Sequence, residues 1–429
     1  WEPAYGLQQK CGDGSVYEGS ILEHLLLQNL CAFYEVGEHN HYRLRGADWN
    51  DAMDMASERG ESVAFTCAYA GNLWQMAELL DTLESEFGWK EIELLEEISG
   101  LLQADSSIYD DISAKQKLLE DYLQLIRHNV SGKKIRVSVR ELADNLKNKA
   151  EWLRQHINQT EWLEGNDGEG WYNSYYDNDG QPVEGYFPQG VRMMLIGQVF
   201  AIMGRTAGDE QIAKICKSAD HYLYKKEAGG YRLNTDFHEQ KFNMGRMFGF
   251  AYGEKENGAV FSHMTVMYAN ALYQRGFVKE GHKALQALAD AAMNFEVSRI
   301  YPGIPEYFNA DGRGMYNYLT GAASWYMLTA VTEMFGVHGD IGDMVIQPKM
   351  VTDQFDSEGN AKLQLQFAGK NFQIKFQNPQ KLDYGEYVVK KASCDGQKEL
   401  DIRGNLAVFS REELMSMPES SHEIVVELG

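Results

Sequence analysis

The sequence predicts a mainly α fold, an α/α toroid or (α/α)6-barrel followed by a small C-terminal β-sandwich domain. Three observations carry this. Between Ile21 and Phe335, apolar residues recur at helical spacing in segment after segment. The loops joining those segments are rich in Gly, aromatics and acids, as in folds built from helix pairs that keep a site at one mouth. Beyond Gly336 the apolar period drops to two, in short runs separated by Gly, Asn and Asp. With 429 residues, 44% of them apolar, the chain can build a large core and more than one domain. We expect a helical barrel domain over 1–337, with a helical insertion at 88–158, and a β-sandwich domain over 338–429.

Taken in order, residues 1–18 are Gly-rich and aromatic and predict loop; Ile21 to Phe33 predicts the first helix. Ser62 to Phe87 predicts a long helix, with Val63, Phe65, Ala68, Leu73, Met76, Leu79 and Leu80 largely on one side. From 88 to 158 the composition turns charged, with narrow apolar stripes over 115–126 and 137–157. Helices packed outside the central body and a coiled-coil partner surface both fit that pattern. The aromatic stretch from Gly170 to Gly180 either lines a cleft or covers helix ends. Helix pairs resume at 189–203 with 210–224, and at 259–275 with 280–295, and a last helix is expected over 318–335. Strand-like runs follow at 344–348, 362–367, 371–377, 386–391 and 424–428. A closed six-pair barrel needs twelve helices, and the visible segments fall short, so the rest is expected upstream. The chain also opens on Trp1-Glu2-Pro3 without an initiator Met, as a fragment or processed piece would.

Composition bounds the partners. A formal net charge of −23 argues against nucleic acid and anionic membranes, and it opposes phosphate unless local His, Arg or backbone N–H groups supply an anion pocket. The five cysteines, Cys11, Cys31, Cys67, Cys216 and Cys394, are scattered without a C-x-x-C or C-x-x-H pair. They predict reduced thiols in a cytoplasmic protein, with neither a disulfide framework nor a metal site. No apolar run approaches the ~18 residues of a membrane span, and no signal peptide is visible. A homodimer is compatible with the sequence without being specified by it.

The chemistry concentrates in Arg45-Gly46-Ala47-Asp48-Trp49-Asn50-Asp51-Ala52-Met53-Asp54, closed by Gly60-Glu61-Ser62-Val63. Three carboxylates and an indole between two helices suit a sugar, since Trp stacks on a pyranose and short acids reach its hydroxyls or protonate its glycosidic oxygen. The same residues also make an ordinary turn, because Asp and Asn bond their own backbone and cap helices. A second candidate is Lys255-Glu256-Asn257-Gly258, leading into the helix with His263. A first-turn His beside free backbone N–H groups could hold an anion, or could simply edge the core. A third is Thr320-Gly321, where small residues at a helix start allow either a phosphate or a close helix contact.

These elements resemble glycoside hydrolase family 94, the inverting phosphorylases of β-glucosides. Asp48-Trp49-Asn50-Asp51 with Gly60-Glu61-Ser62-Val63 resembles the family's Asp-Trp-Asn-Asp-Gly and Gly-Glu-Ser-Val elements, with Ala52 in place of Gly. Glu256-Asn257-Gly258 with His263 resembles Glu-Asn-Gly…Tyr-Thr-His, although Phe261-Ser262 departs from it. Thr320-Gly321 with Trp325 resembles Thr-Gly-Ser-Ala-Gly-Trp. The resemblance is weakest over 88–158, and Ser174 stands where an Arg is common. It implies Asp51 as the general acid, His263, Thr320 and Gly321 as phosphate ligands, and Trp49, Glu256 and Lys255 on the sugar. It further implies a helical barrel followed by a small β domain, with a large upstream β-sandwich and donor-sugar residues needed to complete the protein.

The expected reaction is phosphorolysis of a β-glucosidic bond to α-glucose 1-phosphate, with inorganic phosphate as co-substrate and no cofactor. The form Arg45 to Ala52, with the insertion, leans toward β-1,2-oligoglucan. Bound phosphate dianion needs only positioning to attack, so one acid and an anion pocket suffice. Asp51 would have to hold a proton near neutral pH, which burial, Asp48 or Asp54, or the phosphate would favour. An inverting hydrolase would need a second acid, for which Glu254, Glu256 and Asp311 are candidates. A non-catalytic carbohydrate-binding fragment is the remaining alternative.

Overall fold

The computed structural model of the chain describes residues 8–102, 105–301, 303–317 and 321–429. It divides into two compact units, 1–224 with 233–258, and 225–232 with 259–429. The expected boundary at 337 falls inside the second unit.

In the first unit, α1 (Ile21–Tyr34) starts at a capping box: the Ser20 hydroxyl accepts from Glu23 N while the Glu23 carboxylate accepts from Ser20 N. The long helix α2 (Val63–Ser85) starts at Ser62, whose Oγ accepts from Phe65 N. The segment 88–158 departs from the expectation. Glu91–Leu95 and Lys134–Ser138 pair as an antiparallel ribbon framing α3 (Ile112–Leu125). The next helix, α4 (Val139–Thr160), runs against α2 and buries Val139, Leu142, Ala143, Leu146, Ala150, Leu153 and Ile157. A narrow apolar stripe is enough when the partner is one long helix, so α4 belongs to the core and is not an external addition. Lys115 and Lys149 are fully buried. The Lys115 Nζ lies 4.2 Å from the Phe33 ring centroid and 4.1 Å from that of Trp152, and burial lowers both amines to about 7.

A helix expected over 189–203 is shorter, α5 (Leu195–Met203), because Gly185–Phe187 and Gly190–Arg192 form a hairpin before it. It is followed by α6 (Asp209–Tyr222). The aromatic stretch is settled by burial: Trp171, Tyr172 and Tyr175 are fully enclosed, so those rings pack and do not line a cleft.

The second unit holds α7 (Ser262–Gln274), α8 (Val278–Met293), the short α9 (Phe295–Ser298) and α10 (Gly321–Thr329), with α7 packed on both α8 and α10. Asn270 on α7 donates to Thr329 Oγ1 on α10 at 3.1 Å. Strands β1 (Val337–Asp340), β2 (Asp343–Ile346), β3 (Asn360–Phe367), β4 (Lys370–Gln377), β5 (Val389–Cys394), β6 (Lys398–Glu399), β7 (Asp401–Arg403), β8 (Leu406–Phe409) and β9 (Ser421–Leu428) form two sheets. Their orders are β1-β2-β8-β7 and β3-β4-β9-β5-β6, with β4 and β9 parallel. Met344, Ile346 and Phe409 of the first sheet share one core with Phe372, Ile374, Phe376, Ile424 and Val426 of the second. The observed architecture is therefore helical, with small sheets, followed by C-terminal sheets.

Candidate functional site

The acidic loop spends most of its polar residues on its own geometry. Asp48 accepts from Asn50 N at 3.0 Å and from Ser62 Oγ at 2.7 Å, so it ties the loop to the cap of α2. Burial pushes its carboxyl above the usual range, against those hydrogen bonds. Asn50 is buried and accepts from Ala52 N at 3.1 Å. Two successive side-chain turns leave Asp51 pointing outward, its side chain 81% exposed. Trp49 beside it is half-buried. Of the three conditions named for protonating Asp51, burial is not met in this unit.

Asp51 has a neighbour that the sequence reading missed. Arg246 Nη2 lies 3.7 Å from Asp51 Oδ1, while Arg246 N and Nη1 donate to Asp54 at 3.2 and 2.5 Å. The segment carrying Arg246 runs along the loop, with Met247 N donating to Ala52 O at 3.1 Å. Gly245 permits that approach: a Cβ there would sit 2.1 Å from Ala52 O. Glu256 also acts on the Arg246 guanidinium, which Asp54, Asp51 and Glu256 together hold above its ordinary value. Glu256 and Lys255 occupy the tip of a tight turn closed by Asn257 N to Glu254 O at 3.1 Å. Asn257 braces it by donating to Phe250 O at 2.9 Å, and Asn234 Oδ1 accepts from Gly258 N at 2.8 Å. The first unit thus draws two predicted residues, Asp51 and Glu256, toward one unpredicted arginine.

The first unit also encloses a set of acids. Glu61 is fully buried and accepts from His39 N and His41 N, with His39 Nδ1 at 2.6 Å. Burial would raise Glu161, but His41, Asn173 and Tyr176 bond its carboxylate and hold it at about 2. Glu184 is 2% exposed and accepts from Ser174 N and Met194 N, each at 2.5 Å. Burial nevertheless pushes it up to about 8. Gln198 is buried and bonded at both ends, to Tyr172 N, Tyr172 O and Met194 O, which is a structural role.

The second unit brings His263 and Gly321 together. His263 lies in the first turn of α7, and burial lowers its imidazole, favouring the neutral ring. Gly321 opens α10 against that ring: a Cβ there would sit 3.0 to 3.2 Å from three His263 ring atoms. Trp325, one turn on, has its ring centroid 5.6 Å from that of His263. Gly321 of α10 therefore packs against an imidazole carried by the N-terminal turn of α7, where backbone N–H groups and the dipole end favour a negative charge. Thr320 lies outside the described residues. Of the acids considered for a hydrolytic base, Asp311 sits exposed in a turn closed by Asn309, and Glu254 lies at the base of the 254–257 turn.

Among the described residues no helix is long and apolar enough to cross a membrane.

Comparison with known proteins agrees with the motifs. Residues 134–336 match the family model of the glycosyl hydrolase 94 superfamily, catalytic domain. That interval contains α4, His263 and Gly321; the match therefore begins inside the segment 88–158, where the sequence reading placed the weakest resemblance. The chain is 22% identical over 393 residues to solabiose phosphorylase of Paenibacillus borealis, covering 89% of this chain and 42% of that protein. It is 25% identical over 197 residues to cellobionic acid phosphorylase of Neurospora crassa, covering 43% and 24%. It is 22% identical over 405 residues to 3-O-beta-D-glucopyranosyl-beta-D-glucuronide phosphorylase of Paenibacillus borealis, covering 91% and 44%. The chain spans less than half the length of these relatives. Over residues 134–336 the chain is therefore similar to the catalytic domain of the glycosyl hydrolase 94 superfamily, and the acidic loop lies outside that interval.

Proposed function

We propose that the protein of which this chain is part is an inverting glycoside phosphorylase, cleaving a β-glucosidic bond with inorganic phosphate to give α-glucose 1-phosphate. The observation that carries this reading is the contact of Gly321 with His263, because it puts an imidazole and a helix N-terminus at one place in a chain whose net charge is −23. Phosphate held there, with Thr320 as a further ligand, attacks the anomeric carbon. Asp51 gives its proton to the leaving glycosidic oxygen, and Trp49 packs on the sugar. Lys255 and Glu256 bind the acceptor side, with Arg246 between Glu256 and Asp51. The outward aim of Asp51 suits a group that meets substrate. The helices are read as part of an α/α barrel completed upstream, together with the donor-sugar residues.

The relatives named above act, by name, on solabiose, on cellobionic acid and on a glucosyl glucuronide, so none of those names supports the lean to β-1,2-oligoglucan. Acceptor choice is the direct test. Phosphate release from α-glucose 1-phosphate is measured with sophorose, cellobiose, laminaribiose and N-acetylglucosamine as acceptors, using the chain alone and with the upstream half restored. Release with the restored protein is expected, and the best acceptor names the linkage. Glycoside cleavage that proceeds without phosphate would replace this reading with the hydrolase.

A further inference from the structure

Away from both groups of motif residues, Cys394, Asp395 and His422 converge at one end of the C-terminal sandwich. Cys394 ends β5, and it stands opposite Ile424 where β5 pairs with β9. Asp395 and Gly396 take φ of 52° and 65°, and Gln397 N donates to Cys394 O at 3.1 Å, the two-residue turn that Asp-Gly favours. This turn sets the Asp395 carboxylate on the imidazole of His422, with Nδ1 to Oδ2 at 2.8 Å. The Cys394 thiol donates to the same carboxylate. One sulfur, one oxygen and one nitrogen donor lie within 4.8 Å of one another.

The donors and their support suit a cation. His422 Nε2 is 3.1 Å from both the Pro418 carbonyl oxygen and Ser420 Oγ, so the ring is held through that nitrogen. Nδ1 faces the Asp395 carboxylate at 2.8 Å, a place that a proton or a metal ion fills. A proton needs only Asp395; the buried sulfur beside them adds the donor that a soft ion prefers. A carbonyl that fixes the ring through its other nitrogen is also the usual support of a metal-bound histidine. Cys394 is 2% exposed, which shields it from solution oxidants and disfavours a redox role.

We propose that Cys394 Sγ, the Asp395 carboxylate and His422 Nδ1 bind a divalent cation of the zinc class, pinning the turn after β5 to the start of β9. Binding sends the Nδ1 proton and the thiol proton to solvent, two protons per ion, with no change of oxidation state. The sequence reading predicted no metal site because it sought closely spaced pairs, whereas strand register joins these residues.

The test is a Zn2+ titration of the metal-free full chain against a chromophoric chelator, with thermal unfolding followed in parallel. One zinc per chain and a raised unfolding midpoint are expected. Cys394→Ser and His422→Gln each weaken binding by about tenfold or more, while Cys216→Ser leaves it unchanged. Should either variant fail to fold, Asp395→Asn keeps the left-handed turn, since Asn tolerates it, and removes the anionic donor. No zinc uptake by the full chain, or uptake unchanged in Asp395→Asn, overturns the proposal.

Discussion

The acidic loop of the first unit and the helix starts of the second solve the same problem differently. Around Asp51, geometry is fixed by buried side chains: Asp48 on Ser62, Asn50 on Ala52, and the enclosed Glu61, Glu161 and Glu184 of the same unit. Around His263, geometry is fixed by backbone, with Gly321 of α10 set so close to the imidazole that any Cβ there would press on the ring. The first arrangement suits a group that must give up a proton while its support stays still. The second suits an anion, for which N–H groups and dipole ends are the ligand. The comparison teaches that the residues of a motif divide into those that act and those that hold.

The largest effect expected from that division is at Asp51. Asp51→Asn removes the proton donor while altering only an exposed side chain, so phosphorolysis by the restored protein should fall by roughly 10²- to 10⁴-fold with the unfolding midpoint unchanged. Steady-state rates together with thermal unfolding check both halves. A comparable loss of stability would move Asp51 from the acting residues to the holding ones.

A smaller effect is expected at Gly321. Gly321→Ala places a methyl 3.0 to 3.2 Å from the His263 ring, so the imidazole or the helix start must shift by a few tenths of an ångström. The apparent KM for phosphate should rise about tenfold, roughly 1.4 kcal/mol of lost binding, while the KM for the sugar stays put. Equal changes in both would mean that the contact serves packing alone.

How much of this was legible in the sequence follows the same line. Helices α1, α2, α7 and α8, and strands β3, β4 and β9, were readable because period and turn residues are local signals. Resemblance pointed to Asp51, Glu256, His263 and Gly321, since their motifs are contiguous. Arg246 was not legible, because it meets Asp54 across 192 residues of chain and its own surroundings carry no motif. The burial of Lys115 and Lys149 was not legible either: a lysine ordinarily marks a solvated face, yet these amines sit in an aromatic enclosure that only tertiary packing creates. Glu184 was invisible for the same reason, as nothing beside it in the sequence says that it is enclosed.

Glu184 offers the last test, because support by buried acids is titratable and support by helix backbone is not. Its folded-state carboxyl is raised from the ordinary 4.5 to about 8 by burial. A raised carboxyl contributes stability that is full below the unfolded value and is lost as pH rises through about 8, at a slope of at most ~1.4 kcal/mol per pH unit. The wild-type chain should therefore lose stability between roughly pH 5 and pH 8 relative to Glu184→Gln, whose amide does not titrate, by about 3 to 4 kcal/mol in urea unfolding. The difference between the two proteins matters more than either curve, since other carboxylates, Glu161 among them, shift the opposite way and cancel in it. A flat difference would mean that the N–H groups of Ser174 and Met194, each at 2.5 Å, keep Glu184 ionised throughout. In that case the first unit, like the second, would hold its site by backbone donors, and the contrast between the two regions would be one of side-chain identity only.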